Sequence, residues 1–326
     1  MSAPDPRPRV VMVGAVPMSA LVAAVQEPRG VIVAIHGGAT SSAYFDCPGH
    51  PRLSLLRLAT SLGYTAIAID RPGYGASSLY QDEMGTAERR VELVFGAVDK
   101  ILAGGAGSPA GAGSPEGAGS PEGAGGAGSP RGAGLFVIAH SAGCELGLRM
   151  AADGRADVLG VEVAGTGLRY RADAKAVISK ATLTSRPVGL RELLWQPAEL
   201  YPPDVLTGAL SAGGAAYEGE VTANWPRRDF AEVAARVRVP VEFSVADHER
   251  VWESGPESSA EIAALFTAAP RVEVNEMADS GHNLSVGLTA ETYHQRVLSF
   301  VAECVESRNV EEESNAMSAC AKRRAT

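Results

Sequence analysis

The chain has few of the residues that mark several large classes of protein. Its 326 residues include only four cysteines, at positions 47, 144, 304 and 320, without CxxC or metal-ligand spacing. This argues against a disulfide framework and against a cysteine-bound metal. Basic residues are also in deficit, since 29 Lys and Arg stand against 38 Asp and Glu. A nucleic-acid or anionic-membrane partner needs clustered positive charge, so the net charge of −9 argues against both.

Long hydrophobic segments are missing as well. No uninterrupted apolar run reaches the roughly 18 residues that a membrane span needs, and the N-terminal MSAPDPRPR has no apolar signal core. We therefore expect a soluble, cytoplasmic protein. The 45% of hydrophobic and 21% of charged residues are typical of a globular chain rather than a disordered one.

Strand and helix patterns alternate along residues 10–305. Two early apolar runs, Val10–Val16 and Leu21–Val25, are joined too closely for a crossover helix and predict an antiparallel hairpin at one sheet edge. Later apolar runs predict buried strands at Val31–Ile35, Thr65–Ile69, Leu135–Ala139, Val158–Val163, Val239–Val245 and Arg271–Glu276. Helical patterns separate these runs. The sequence thus predicts an α/β fold with a mostly parallel, doubly wound sheet.

Glycine is abundant, and its excess lies in one segment. Gly104 to Gly134 hold 13 of the 37 glycines, and the motif GAGSP begins at 105, 111, 117 and 126. No position of this repeat is large and apolar, so a stacked solenoid would have no core. We interpret residues 104–134 as a flexible low-complexity insertion. Because it joins a helix to the start of a parallel strand, it should lie at the sheet edge opposite to any ligand site.

Three other stretches depart from the alternating pattern. The ends, residues 1–9 and 306–326, are polar or Pro-rich and are expected to be disordered. Residues 168–230 are too many for a plain loop, so we interpret them as an inserted helical cap over one end of the sheet. Its aromatic residues could form the cap's own core or the wall of a pocket: Trp195, Tyr201 and Trp225.

The run from Ala139 to Gly143 carries the clearest sign of chemistry. A predicted buried strand ends at Ala139, Ser141 follows two residues later, and a helix pattern begins at once. This is the context of a nucleophile elbow, whose usual GxSxG pattern appears here as AxSxG. The sharp turn brings the residues two before and two after the serine together, so both must be small. The alternative is that Ser141 merely caps a helix.

A serine hydroxyl needs an adjacent base, and that base needs a carboxylate to orient it. His282 follows the last predicted strand, at the carboxyl edge where Ser141 is also expected. Asp247 follows the preceding strand directly, and Glu249 is near enough in sequence to replace it. We predict a triad of Ser141, Asp247 and His282.

The order of nucleophile, acid and base resembles that of proteins with the α/β-hydrolase fold. His36-Gly37-Gly38 resembles the oxyanion loop of that family, and the run from Asp70 to Gly75, DRPGYG, resembles its loop after the fourth strand. The resemblance spans residues 10–305 apart from the insertion and the cap. It implies that the backbone N–H groups of Gly38 and Ala142 stabilise an oxyanion, and that no metal and no organic cofactor takes part.

The resemblance implies a serine hydrolase that cleaves an ester or thioester of a small to medium organic substrate through an acyl-enzyme. An alternative is a lyase on the same fold, because the segments 36–41 and 46–49 resemble acetate-eliminating α/β-hydrolase-like enzymes of tetronate biosynthesis, a branch of secondary metabolism. A second alternative is a non-catalytic small-molecule binding protein. Each hypothesis implies a small-molecule partner, with no nucleic acid and no membrane, and none fixes the oligomeric state.

Overall fold

A single sheet lies at the centre of the protein. The structure is a computed structural model, and it describes residues 4–104, 129–155, 157–180 and 188–324. In these ranges the strands are β1 (Arg7–Val13), β2 (Val16–Ala23), β3 (Val31–Ile35), β4 (Thr65–Ile69), β5 (Leu135–His140), β6 (Val158–Ala164), β7 (Val241–Ala246) and β8 (Val272–Met277). Their spatial order is β1-β2-β4-β3-β5-β6-β7-β8. The pairs β1–β2 and β2–β4 are antiparallel, and the other neighbours are parallel.

Helices occupy the connections between the strands. In the described ranges they are α1 (Leu55–Ser61), α2 (Ala87–Ala103), α3 (Cys144–Asp153), α4 (Ala172–Ile178), α5 (Leu190–Leu194), α6 (Pro203–Leu206), α7 (Glu218–Asn224), α8 (Phe230–Ala234), α9 (Pro256–Leu265) and α10 (Ala290–Arg324). Of these helices, none is both long and apolar enough to cross a membrane.

The strands contribute to two hydrophobic cores, one on each face of the sheet. Every residue of β3 is buried, and Val33 and Ile35 belong to one core while Ile32 and Ala34 belong to the other. Residues of α2, α3 and α8 complete the first core, and residues of α1 and α10 complete the second. A strand covered on both faces cannot alternate apolar with polar residues, which explains its continuous apolar run. The predicted fold class is confirmed.

Both chain ends differ from the sequence prediction. β1 begins at Arg7, inside the stretch expected to be disordered, because an edge strand pairs through its backbone and needs few apolar side chains. The closing helix continues to Arg324, through residues predicted to be a disordered tail. The packed first half of α10 nucleates this helix, so the good helix formers that follow need only propagate it.

The predicted insertion lies mainly outside the described residues, which omit 105–128. Its described flanks are near the start of the parallel strands. α2 ends at Ala103, Gly132 forms a bridge with Gly30, and the Gly134 carbonyl accepts the N–H of Val31 at 2.9 Å. Since Ser141 follows the opposite end of β5, the flanks lie at the sheet edge away from it.

Helices α4 to α7 and a π-helical turn (Trp225–Asp229) lie in the stretch predicted to be a cap. This stretch contacts loops that follow the carboxyl ends of sheet strands. The side chain of Asn283 donates to the Leu194 carbonyl at 2.7 Å, and His50 pairs with Asp204 at 2.9 Å. The cap therefore lies over the edge of the sheet that carries Ser141.

Candidate active site

Ser141 lies on a strained turn between β5 and α3. Its φ is +52°, a conformation that costs a non-glycine residue about 1–3 kcal/mol. Gly143 makes this turn possible, because a Cβ at that position would lie 2.5 Å from the His36 carbonyl oxygen and 2.7 Å from that of Ile35. The close approach explains why the second small position of AxSxG is glycine.

The first small position tolerates alanine because a glycine faces it. A Cβ on Gly147, in α3, would lie only 2.5 Å from the Cβ of Ala139. The absent side chain at 147 therefore leaves room for the methyl group of Ala139, which is fully buried. The alanine at position 139 is thus compensated by the missing side chain at position 147, in the helix that follows the turn.

His282 is in hydrogen-bond contact with Ser141. Its Nε2 atom lies 3.1 Å from the Ser141 Oγ atom, and the residue is 1% exposed. The two residues follow β8 and β5, whose carboxyl ends face the same edge of the sheet. The structure therefore brings together the nucleophile and base that the sequence predicts.

The carboxylate on His282 belongs to Glu249 and not, as predicted, to Asp247. Glu249 Oε2 lies 2.9 Å and Oε1 lies 3.1 Å from His282 Nδ1. Asp247 instead accepts the backbone N–H groups of Asp279 at 2.9 Å and Ser280 at 3.0 Å. Its side chain is 44% exposed, whereas that of Glu249 is 5% exposed. Asp247 thus holds the loop that carries His282 in place, but its hydrogen bonds go to the loop backbone and not to the His282 ring.

The turn after β7 explains this exchange. The Asp247 N–H still donates to the Met277 carbonyl, so this residue continues the strand pairing with β8. The chain then turns, with the Glu249 N–H donating to the Ala246 carbonyl at 3.2 Å. The longer glutamate side chain covers the remaining distance to His282. Distance along the sequence could not reveal which of the two acids points inward.

Glu249 is held as a carboxylate. Burial would raise its pKa, but His282, the hydrogen bond to it and the N–H groups of Val251 and Trp252 outweigh burial, so the pKa lies below its usual value. The Val251 N–H donates at 2.7 Å. An ionised acid on Nδ1 fixes the tautomer in which Nε2 can accept a proton from Ser141.

His140, the residue before Ser141, supports the loop that carries His282. Its Nε2 atom lies 2.9 Å from the His282 carbonyl oxygen, so it carries the proton and donates it there. Its ring stacks on Tyr44 with centroids 4.6 Å apart. Burial, followed by the nearby His282, lowers the pKa of His140 to about 3, so the ring stays neutral. The sequence gives no sign that His140 contacts the backbone of His282, because the two residues lie far apart in the chain.

Gly38 and Ala142 lie side by side next to Ser141. A Cβ on Gly38 would lie 3.7 Å from the Ala142 Cβ, and one on Gly37 would lie 3.1 Å from the Ser141 Cβ. Within the part of the chain that the structure describes, neither the Gly38 nor the Ala142 N–H has a protein acceptor. Two unpaired N–H groups beside a nucleophile could donate to a developing oxyanion.

The aromatic residues of the cap are used in packing. Trp225 and Tyr201 are buried, and the Trp225 indole donates to Thr166 Oγ1 at 3.0 Å while stacking on Phe230. Tyr201 packs edge-on against Trp195 and accepts the Asn283 N–H at 3.2 Å. These contacts favour the interpretation of the aromatic residues as core over a pocket wall.

The cysteines of the described residues are not competing nucleophiles. Cys47, Cys144 and Cys304 are buried and free. Burial, followed by the charges of Asp204 and Asp46, raises the pKa of Cys47 to about 11, so it stays a thiol. Among the same described residues, no group of three or more His, Cys, Asp or Glu is arranged to hold a metal.

The sequence matches a known protein family over most of its length. The family model described as the alpha/beta hydrolase family matches residues 32–296. This range includes Ser141 and its turn, the run His36–Gly38, the cap and the loop that carries His282. None of the curated proteins compared with the chain matches it in sequence.

Solved structures share the fold at low sequence identity. A soluble variant of monoglyceride lipase from Saccharomyces cerevisiae has a TM-score of 0.63 at 14% identity, over 92% of this chain and 96% of its own. A highly thermostable carboxyl esterase from Bacillus coagulans has a TM-score of 0.62 at 14% identity, over 92% and 99%. A thioesterase domain from the curacin biosynthetic pathway has a TM-score of 0.57 at 15% identity, over 90% and 100%.

Proposed function

Because the chain belongs to the alpha/beta hydrolase family, we propose that it is a serine hydrolase that cleaves a carboxylic ester or thioester of a small to medium organic molecule. One observation carries the proposal: Ser141, His282 and Glu249 form a continuous hydrogen-bonded chain at the carboxyl edge of the sheet. A lipase, an esterase and a thioesterase of the same fold support this class of substrate.

Acylation begins at Ser141. Its Oγ attacks the acyl carbon while His282 Nε2 accepts the hydroxyl proton, and Glu249 stabilises the imidazolium that forms. The N–H groups of Gly38 and Ala142 donate to the oxyanion, and one such donor contributes about 3–4 kcal/mol in the transition state. His282 then gives its proton to the leaving oxygen or sulfur. The C–O or C–S bond breaks and the acyl group stays on Ser141.

Deacylation repeats these steps with water. His282 accepts a proton from water, whose oxygen attacks the acyl carbon, and the oxyanion meets the same two N–H groups. The proton then passes from His282 to Ser141 Oγ, which releases a carboxylic acid and the free enzyme. No group outside the described chain and the water is needed.

The test is covalent labelling followed by product analysis. We expect a fluorophosphonate probe to label the wild type and the control Ser254→Ala, whose side chain is exposed, but not Ser141→Ala. Mass spectrometry of acyl esters and thioesters should then show one carboxylic acid per turnover, with Ser141→Ala inactive. Unchanged labelling of Ser141→Ala would contradict the role of this serine, and thermal melting checks that the variant folds.

The same product analysis separates the alternatives. Hydrolysis leaves the alcohol or thiol part of the substrate intact, whereas elimination of acetate converts it to an alkene that is lighter by one water. Binding without turnover or labelling would favour the non-catalytic hypothesis. The hydrogen-bonded Ser141–His282–Glu249 chain favours an enzyme, because a binding pocket does not need an activated hydroxyl.

A further inference from the structure

A buried arginine holds one side of the oxyanion loop, which we define as His36–Ala39. Arg71 follows β4 and is 1% exposed. Its backbone N–H donates to His36 Nε2 at 3.0 Å, and its Nη2 donates to the Gly37 carbonyl at 3.1 Å. Because Nε2 accepts, the proton of His36 is on Nδ1, which donates to the same carbonyl at 2.8 Å. Gly37 is therefore fixed by two donors.

A buried tyrosine holds the other side of the loop. Tyr74 accepts the N–H of Ala39 at 3.2 Å and an Nη2 proton of Arg71 at 3.1 Å. Ala39 has a φ of +57°, which a non-glycine residue keeps only when its surroundings hold it there. Gly38, whose N–H is a proposed oxyanion donor, lies between these two fastened residues.

A carboxylate from the cap completes the network. The Tyr74 hydroxyl already accepts two N–H groups, so its own proton goes to Glu218 Oε1, at 2.6 Å. Arg71 donates to the same oxygen, and Glu218 is its ion-pair partner in the described part of the chain. A buried guanidinium without such a partner would be strongly unfavourable. The carboxylate also borders the loop, because a Cβ on Gly38 would lie 3.7 Å from its Oε1.

From this network we infer that Glu218, in α7 of the cap, is a positioning residue that fixes the oxyanion loop through Arg71 and Tyr74. The inference rests on the proposed hydrolysis and assigns the cap a part in it. Glu218 does not touch the reacting atoms. It fixes the two side chains that in turn fix Gly37 and Ala39, so a displacement of the cap that moves Glu218 also releases the Gly38 N–H.

The first test compares three variants by steady-state kinetics on the best acyl substrate. Loss of a whole oxyanion donor lowers kcat about 100- to 1,000-fold, so a loosened loop in Glu218→Ala should lower kcat by about 10- to 100-fold with little change in KM. Glu218→Gln keeps an oxygen that can accept both donors and should recover part of this loss, although it removes the charge opposite Arg71. Glu220→Ala, on the exposed side of the same helix, is the matched control and should resemble the wild type.

A double-mutant cycle with Tyr74→Phe identifies the route. Because Glu218 is inferred to act partly through Tyr74, the fold-loss of kcat in the double variant should be smaller than the product of the two single fold-losses. A double-variant loss equal to that product, or a Glu218→Gln variant as slow as Glu218→Ala, would overturn the inference. If Glu218→Ala does not fold, as judged by thermal melting, Tyr74→Phe and Glu218→Gln provide the same comparison.

The rate of fluorophosphonate labelling separates this inference from the proposed function. A wild type that is neither labelled nor active on any ester or thioester would contradict the function itself. A labelled, active wild type with equal labelling rates and kcat in Glu218→Ala would contradict only the role of Glu218. Slower labelling of Glu218→Ala, with Glu220→Ala unchanged, would support both.

Discussion

The two acids after β7 allow a sharp test of the site, because they lie two residues apart in one loop. Glu249→Gln keeps the size of the side chain but replaces the charged acceptor on His282 Nδ1. The equivalent change in a catalytic triad lowers kcat about 10,000-fold, which corresponds to about 5 kcal/mol of transition-state stabilisation. We expect a loss of this order for Glu249→Gln, since both of its oxygens lie within 3.1 Å of the ring nitrogen.

Asp247→Asn should behave differently. It retains one oxygen that can accept the N–H of Asp279 or Ser280, and its partly exposed position allows water to replace the other bond. Loss of one such hydrogen bond costs about 1 kcal/mol. We therefore expect a small loss of stability and less than about a tenfold change in kcat, since 1.4 kcal/mol is a factor of ten.

The assay is a steady-state measurement of kcat on one acyl substrate, and urea unfolding of each variant verifies that it is folded. Our prediction is a severe kinetic defect in Glu249→Gln and a mild one in Asp247→Asn. Equal defects in the two variants would refute it, and so would an active Glu249→Gln beside an inactive Asp247→Asn. The second result would restore Asp247 as the acid in the working enzyme.

Two further predictions concern stability and the insertion. Burial, and then the charges of Glu273 and Glu303, raise the pKa of Glu242 in the folded protein to about 7. The stability that its protonated form contributes is therefore fully present below the unfolded pKa, and it is lost as the pH rises through about 7. Glu242→Gln should exceed the wild type in urea unfolding by up to about 3 kcal/mol above pH 7 and by little near pH 4; a gap independent of pH would contradict this. Replacement of residues 105–128 by a few Gly and Ser should leave kcat unchanged, because the flanks lie away from Ser141. A folded deletion variant with a large loss of kcat would show that the segment has a role in the reaction.

The sequence predicted those parts of the fold that depend on patterns along the chain. Continuous apolar runs predicted both ends of β3 and β4 correctly, because strands that are buried on both faces consist of consecutive apolar residues. Ser141 and His282 could be placed because each follows a parallel strand at the same edge. The helical part of the tail after Val305 could not be foreseen, since its polar residues become helical as a continuation of a packed helix.

The contacts that depend on side-chain direction were beyond sequence reasoning. Asp247 and Glu249 have the same chemistry and nearly the same position, and only the turn after Ala246 decides which one reaches His282. Glu218 gave no signal at all, because its partners Arg71 and Tyr74 lie more than 140 residues away in the chain. Tertiary structure alone connects the cap to the loop beneath it.

The backbone of Ser141 has an evolutionary consequence. With a φ of +52°, this position suits glycine, which adopts that conformation at no steric cost. The serine gives up about 1–3 kcal/mol out of the roughly 5–15 kcal/mol that keep a protein folded. Selection for stability alone would therefore replace it with glycine. A descendant of this chain that no longer needed the hydroxyl would therefore gain stability from glycine at residue 141.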